Sequence, residues 1–248
     1  MQSRGETTEP IDSLAPGFSE LGRFLLLAAD SGSSMDPQRI VDVAMRAIPH
    51  AAHCAVTLSS PSMRPRTIAW TDQLPLRVDA LQYDTGQGPC LDALDKDDVV
   101  LVDDLARDAR WPAFVARCTA QTPVRSMLGV RLRLEGPDRA ALNLYATQEG
   151  RFGPLDLGVA SMLAPFVALS VQSAVNQERV GQLHTALETS RQIGTAMGIL
   201  MARELVTSQE AFALLRQASQ HLNRKLRDIA AEVELTGTLP PFVRKDPA

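Results

Sequence analysis

Residues 190–240 read SRQIGTAMGILMARELVTSQEAFALLRQASQHLNRKLRDIAAEVELTGTLP, and three helical patterns with their ends can be placed in this one stretch. The first runs to about Arg203 and carries Ile193, Met197, Leu200 and Met201 on its apolar side. Thr207-Ser208-Gln209-Glu210 has the form of a capping box, in which the Thr207 hydroxyl takes an orphan amide and Glu210 reaches back to the cap. A second helix is therefore expected from Ser208, with Phe212, Leu215, Ala218 or Ser219, and Leu222 on one face. Asn223 suits the cap of a third helix that turns Leu226, Ile229, Ala230 and Val233 inward. Gly237 ends that helix and Pro240-Pro241 forbids its continuation. The small residues Ala196 and Gly198 suit close approach between helices in so small a cluster.

Outside these apolar faces stand Arg191, Arg203, Arg216, Arg224, Lys225 and Arg227. Three of them crowd the junction of the second and third helices, beside Asn223. Glu204, Glu210, Asp228, Glu232 and Glu234 nearly balance them, so charge alone also fits a solvated helical face. The run Glu210-Ala211-Phe212, Leu214-Leu215-Arg216 and Asn223-Arg224-Lys225-Leu226-Arg227 resembles the ANTAR module of bacterial RNA-binding antiterminators. That resemblance implies binding to paired RNA stem-loops in nascent transcripts, with Arg191, Arg203, Arg216, Asn223, Arg224, Lys225 and Arg227 as the RNA-binding set. Many such modules carry lysine where this chain has Met197; some linked to GAF domains are apolar there. Four phosphate contacts would give a log–log salt slope near −3, at about −0.7 per contact.

The rest of the chain bounds this reading. Its 248 residues suffice for one large or two ordinary domains. A formal net charge of −4 excludes a chain-wide basic field, so any nucleic-acid contact is a local patch. Lys96, Lys225 and Lys245 are the only lysines. Cys54, Cys90 and Cys118 are widely spaced and form no CxxC pair, as expected of reduced thiols rather than a disulfide framework or a zinc site. The polar, acidic start MQSRGETTEP is unlike a secretory signal. Leu155–Val171, the most apolar stretch, contains Pro165 and reads as too short and interrupted to span a bilayer. A cytoplasmic protein is expected, with no membrane partner.

Upstream of the helical end the patterns are mixed. Residues 1–17 read as a flexible lead, and Phe18–Ala29 has helical apolar spacing. Asp36-Pro37 makes a helix start and Pro49 a stop. Strand-like runs follow at Cys54–Ser59, Arg66–Trp70, Val99–Val102, Arg125–Leu134 and Ala140–Ala146. Helical patterns occupy Thr71–Tyr83 and Trp111–Gln121, and Gly86-Gln87-Gly88-Pro89-Cys90 reads as a loop. Arg131, Arg133 and Glu135 alternate with Val130, Leu132 and Leu134, the period of a strand with one wet face. Gly136-Pro137-Asp138 then turns a hairpin.

This order, with GQGPCLDAL, VVLVDDLARDARWPAF, VRSMLGVRL and ALNLYA, resembles a GAF domain over about residues 18–175. The resemblance implies a small-molecule pocket between sheet and helices, its occupant unnamed by the sequence. Trp70, Cys90, Trp111, Phe114 and Met127 are candidate walls of it, though ordinary core packing outweighs that reading for each. Gly86-Gln87-Gly88 lacks the strand and helix context of a phosphate loop.

Three sharper chemistries are weighed and set aside. Some GAF domains reduce free methionine sulfoxide, but that needs a low-pKa thiolate with a resolving partner, and nothing adjacent to Cys90 is cationic. Asp103-Asp104 mimics the acidic pair of a phosphoacceptor, yet no lysine lies between Lys96 and Lys225 to complete one; a strand end is expected there. His50 or His53 as a haem ligand is weaker than a structural role for both.

From Pro165 onward a heptad-like stripe runs through Leu169, Ser173, Asn176, Val180, Leu183, Leu187, Ser190, Gly194, Met197 and Met201. A helix over 166–203 would extend roughly 57 Å at ~1.5 Å per residue. It either packs on its own domain or pairs with a second chain, with polar Asn176 fixing register. The fold expected is α+β: a GAF-like antiparallel sheet with helices, a long connecting helix and a three-helix ANTAR bundle. Its parts are a lead 1–17, a sensor domain 18–165, a connector 166–189, an RNA-binding domain 190–240 and a tail 241–248. The function expected is a non-enzymatic antitermination regulator, a homodimer whose partner is RNA and not DNA. The alternative is a signalling adaptor whose C-terminal helices bind a protein partner.

Overall fold

The computed structural model describes residues 36–241 other than Pro49, Ser62 and Asp97. The lead 1–17, the helical pattern at Phe18–Ala29 and residues 242–248 of the tail lie outside the described residues. The chain divides between Asn176 and Gln177 into two compact units.

The N-terminal unit is built on a five-stranded sheet. Its strands are β1 (His53–Ser60), β2 (Met63–Trp70), β3 (Val99–Val102), β4 (Ser126–Leu132) and β5 (Arg139–Ala146), in the order β2-β1-β5-β4-β3. All four pairings are antiparallel. Helix α1 (Pro37–Ala47) starts as its sequence demands: Pro37 occupies the first turn and the Asp36 carboxylate accepts the Gln38 amide at 2.9 Å. It buries Ile40, Val41, Ala44 and Ala47 against Cys54, Val56 and Leu58 of β1.

On the opposite sheet face lie α2 (Gln73–Thr85), α3 (Pro89–Asp95) and α4 (Pro112–Gln121). Helix α3 occupies what the sequence reads as the end of a loop. Gly86 ends α2 in the left-handed region at φ 64°, Gly88 sits at φ 141°, and Pro89 opens the next helix. A side chain at Gly88 would collide with the Gln82 amide, so both the backbone angle and the space there require glycine. At Gly129 of β4 an added Cβ would stand 3.3 Å from Ala93, which shows how closely α3 lies on the sheet.

Helices on both faces change the expected pattern of β4. Leu128, Val130 and Leu132 join one core while Met127 joins the other, and the strand is buried at every position except Arg131. The wet alternation begins only where the strand runs out, at Arg133 and Glu135.

Helix α5 (Pro154–Glu204) starts twelve residues before the expected 166 and contains Pro165 without ending there. Proline in a helix leaves the carbonyl four residues earlier without its amide. Here Ser161 and Pro165 both line an open groove and are exposed, so that carbonyl can be hydrated. The apolar stretch is thus not interrupted: by length and composition α5 could cross a membrane. Half of its apolar window is buried, with Val159, Ala160, Leu163, Val167 and Val171 in the core, the place of a core helix.

The C-terminal unit comprises the end of α5, α6 (Ser208–Leu222) and α7 (Leu226–Thr236). The capping box forms as read: the Thr207 amide donates to Glu210 at 2.7 Å and the Glu210 amide to Thr207 Oγ1 at 3.3 Å. Gly237 ends α7 at φ 75°.

Three assignments change. Asn223 does not cap α7; it ends α6 in the left-handed region at φ 50°. The Arg224 amide donates to the Ser219 carbonyl and the Asn223 amide to Gln220, a Schellman closure that asparagine tolerates better than most residues. Lys225 takes the N-cap position of α7 with no side-chain cap. Phe212 is 40% exposed and Met201 38%, while Ala211 and Ala196 are fully buried in their place. The helices approach so closely that methyl groups fill the seam between them, and the larger neighbours turn out. Gly198, the other small residue, faces open space.

Candidate nucleic-acid interface and sensor core

The Schellman turn at Asn223 brings Arg224, Lys225 and Arg227 to the joint of α6 and α7. Arg224 pairs with Glu232 at 2.6 Å and Arg227 with Asp228 at 3.4 Å. Both pairs are exposed, and surface pairs hold by ~0–1 kcal/mol, so an incoming phosphate can replace the carboxylate. Lys225 and Arg216 are exposed and make no ion pair among the described residues. Because α7 starts without a side-chain cap, the positive end of its dipole adds to the same corner.

Arg203 and Arg191 stand apart from this corner. Arg203 donates to the Gly237 carbonyl at 2.7 Å, at the far end of α7 from Lys225 and so about 16 Å away along the helix. Its guanidinium ties helix ends together. Arg191 is exposed on α5, and no hydrogen bond or ion pair among the described residues links it to the corner.

In the N-terminal unit, Cys90, Trp111, Phe114 and Met127 come together in one fully packed cluster with Val78, Leu81, Leu94 and Leu105. Trp111 donates its indole N–H to Asp92 at 2.9 Å and lies under the Arg110 guanidinium. Trp70 is not among them. It stands at the end of β2, 36% exposed, its backbone held from both sides by the Gln38 amide. A groove of about 480 Å³ runs between β3, β4 and α5, and a second cavity of about 230 Å³ lies beside His50 and Arg151; neither is lined by these five residues.

The same interior holds a polar network that the sequence reading missed. Asp79, wholly buried on α2, accepts from the hydroxyls of Tyr145, Thr67 and Thr57 and from the Gln82 amide. The Tyr83 hydroxyl bonds Thr57 and Thr67, and Asn143 donates to Thr57 and to the Cys90 sulfur. Asn143 Oδ1 has no partner among the described residues. A polar residue between inward-facing Val78 and Leu81 is the one sequence signal of this network.

Burial pushes the Asp79 carboxyl up to about 6, against the four hydrogen bonds that favour its ionised form. A carboxyl raised in the folded state stabilises the fold fully below its unfolded pKa, and that contribution is lost as pH rises through the folded value. The Asp79→Asn variant is therefore expected to gain about 3 kcal/mol relative to the native protein between about pH 4 and pH 7. Urea unfolding of both proteins across that range checks it; a stability difference independent of pH would contradict it.

The remaining titratable candidates have structural partners. Burial pushes the Cys90 and Cys54 thiols far above their ordinary range and raises Cys118. All three cysteines are buried and free, the opposite of the exposed thiolate that redox chemistry uses. His50 meets Asp156 at 3.0 Å and His53 meets Asp72 at 2.6 Å. Asp104 caps the short 3₁₀ turn Leu105–Arg107 and pairs with Arg125, as a strand end would. Among the described residues no three His, Cys, Asp or Glu side chains could together hold a metal.

Comparison with known proteins agrees with both halves. A family model described as GAF domain matches residues 37–172, and one described as ANTAR domain matches 181–233. Among solved structures, a free methionine-R-sulfoxide reductase from Neisseria meningitidis is similar at 16% identity and a TM-score of 0.51, over 68% of this chain and 96% of that one. The GAF domain of a phosphoenolpyruvate-protein phosphotransferase from Coxiella burnetii aligns at 11% identity and a TM-score of 0.49, over 69% and 99%. At 16% identity the first likeness speaks to fold alone. No curated protein matches the chain.

Proposed function

The chain belongs to the GAF domain family and carries an ANTAR domain behind it, and from that pairing we propose that it is a cytosolic transcription antitermination regulator. Both domains are regulatory rather than catalytic. In this reading the bundle at 190–240 binds paired stem-loops in nascent transcripts and so keeps an overlapping terminator from forming. The GAF domain at 18–165 supplies the control, through a connector at 166–189.

The observation that carries the proposal is the joint of α6 and α7, where Arg224, Lys225 and Arg227 converge on an uncapped helix start. Arg216 joins them from α6, and Asn223 supplies the turn. Arginine suits folded RNA because it can fork onto phosphate and stack on bases. Arg203 and Arg191 belong to the wider set, the first through the helix end it holds. Any small-molecule input would act on the interior around Cys90, Trp111, Phe114 and Met127, with Trp70 at its margin.

A homodimer is part of the reading. From Asn176 to Glu188 every residue of α5 is exposed, including Val180, Leu183 and Leu187, each at least 64%. An apolar stripe of that kind calls for a second helix. Two bundles on one dimer would grip two hairpins at high effective concentration.

Titration of the native protein with a two-hairpin leader RNA, its one-hairpin truncation and an unstructured polyanion tests this. The two-hairpin RNA should bind tightest, and affinity for a single hairpin should fall about fifty-fold from ~50 to ~200 mM salt, for four phosphate contacts. Equal affinity for the unstructured polyanion overturns the assignment. Indifference to RNA together with tight capture of a protein would favour the adaptor instead.

A further inference from the structure

On α6 the face turned away from the bundle core is chemically unusual. Ala211, Leu215 and Ala218 fill the inner seam. Outward stand Gln209, Phe212, Arg216 and Gln220, spaced three and four residues apart and therefore in one line. Phe212 is the one Phe, Tyr or Trp among the described residues of the C-terminal unit, and the one exposed large hydrophobic on this helix. The helix has a single carboxylate, Glu210, and it is held in the capping box. The line thus offers a flat ring, a guanidinium and two amides, with no negative charge, and it ends at Asn223 beside the cationic corner.

We propose that this line reads an unpaired base of the RNA loop, the base stacking on Phe212 while Gln209, Arg216 and Gln220 meet its edges and flanking phosphate. The proposal rests on the RNA-binding reading above and assigns its specificity. Bases within a stem are paired and stacked on one another, so a ring exposed on a helix can engage only a base that has left the stack. The division of labour follows from the geometry: cations at the corner hold phosphates and set affinity, and the ring on α6 selects a splayed loop. A face built for a protein partner would gather several apolar side chains; this one has a single ring set among polar groups.

The test uses full-length Phe212→Leu and Phe212→Trp, a hairpin RNA with its loop intact, and the same hairpin with abasic loop positions. Leucine keeps the apolar bulk and removes the stacking plane; tryptophan keeps the plane. Phe212→Leu is expected to weaken binding of the intact loop by about tenfold or more, with the abasic hairpin unaffected and the salt slope unchanged. Phe212→Trp should restore intact-loop binding. Unchanged affinity of Phe212→Leu for the intact loop, with native binding present, overturns the base-reading line and leaves the RNA reading standing. A change in oligomeric state by light scattering, with RNA affinity untouched, assigns Phe212 to a protein contact and also overturns it. Absence of any hairpin binding by the native protein sinks both.

Discussion

Alanine at Arg224, Lys225 and Arg227 together is expected to weaken binding to a single-hairpin RNA by about a hundredfold near ~0.1 M salt. Each phosphate contact contributes ~1 kcal/mol there through counterion release, so three lost contacts amount to ~3 kcal/mol. The salt slope should collapse at the same time from about −3 to about −0.7, the share of Arg216. Glu232 and Asp228 lose their partners in this variant and would then repel the RNA, which adds to the loss. The fold should survive, because both pairs are exposed and contribute little. Unchanged RNA affinity in the triple variant would remove the corner from the mechanism.

The second large effect concerns the bundle core. Of its eight fully buried residues, Ala196, Ala211, Ala218 and Ala230 contribute a methyl group each, so Leu200, Leu215, Ile229 and Val233 carry most of the buried apolar area. Truncating a buried leucine costs about 2–5 kcal/mol, and a core of this size supplies only ~3–5 kcal/mol in total. Leu215→Ala is therefore expected to unfold the C-terminal unit at room temperature while the sheet domain keeps its own thermal transition. Loss of helical circular dichroism, with protease cleavage confined beyond Asn176, checks this. Retention of a cooperative C-terminal transition would show that the bundle gains stability from contacts outside its own core.

Local chemistry was the legible part of this chain. Asp36-Pro37, the Thr207–Glu210 box and Gly237 mark element ends in the structure because each acts through its own backbone neighbours. Strand β3 falls at Val99–Val102 as read. Side-chain size misled where packing is tight: choosing Phe212 over Ala211 as the inward residue follows hydrophobicity, whereas helices in close contact admit only the methyl. Pro165 looked like a break because a proline ring clashes with the preceding turn, and the structure accommodates it at an exposed position beside a groove. The Asp79 network was out of reach for a different reason. Tyr145 and Asp79 are 66 residues apart, and only the closed sheet brings the hydroxyl to the carboxylate.

The bare middle of α5 has a thermodynamic consequence. Among the described residues, 176–188 bury no apolar side chain, and isolated helical segments of that length are marginal in water. On the proposed dimer their order is bought by association, so it obeys mass action. The stiffness of the shaft between sensor and effector would then scale with how many copies the cell holds, and expression level itself would act as an input alongside whatever the sensor domain detects.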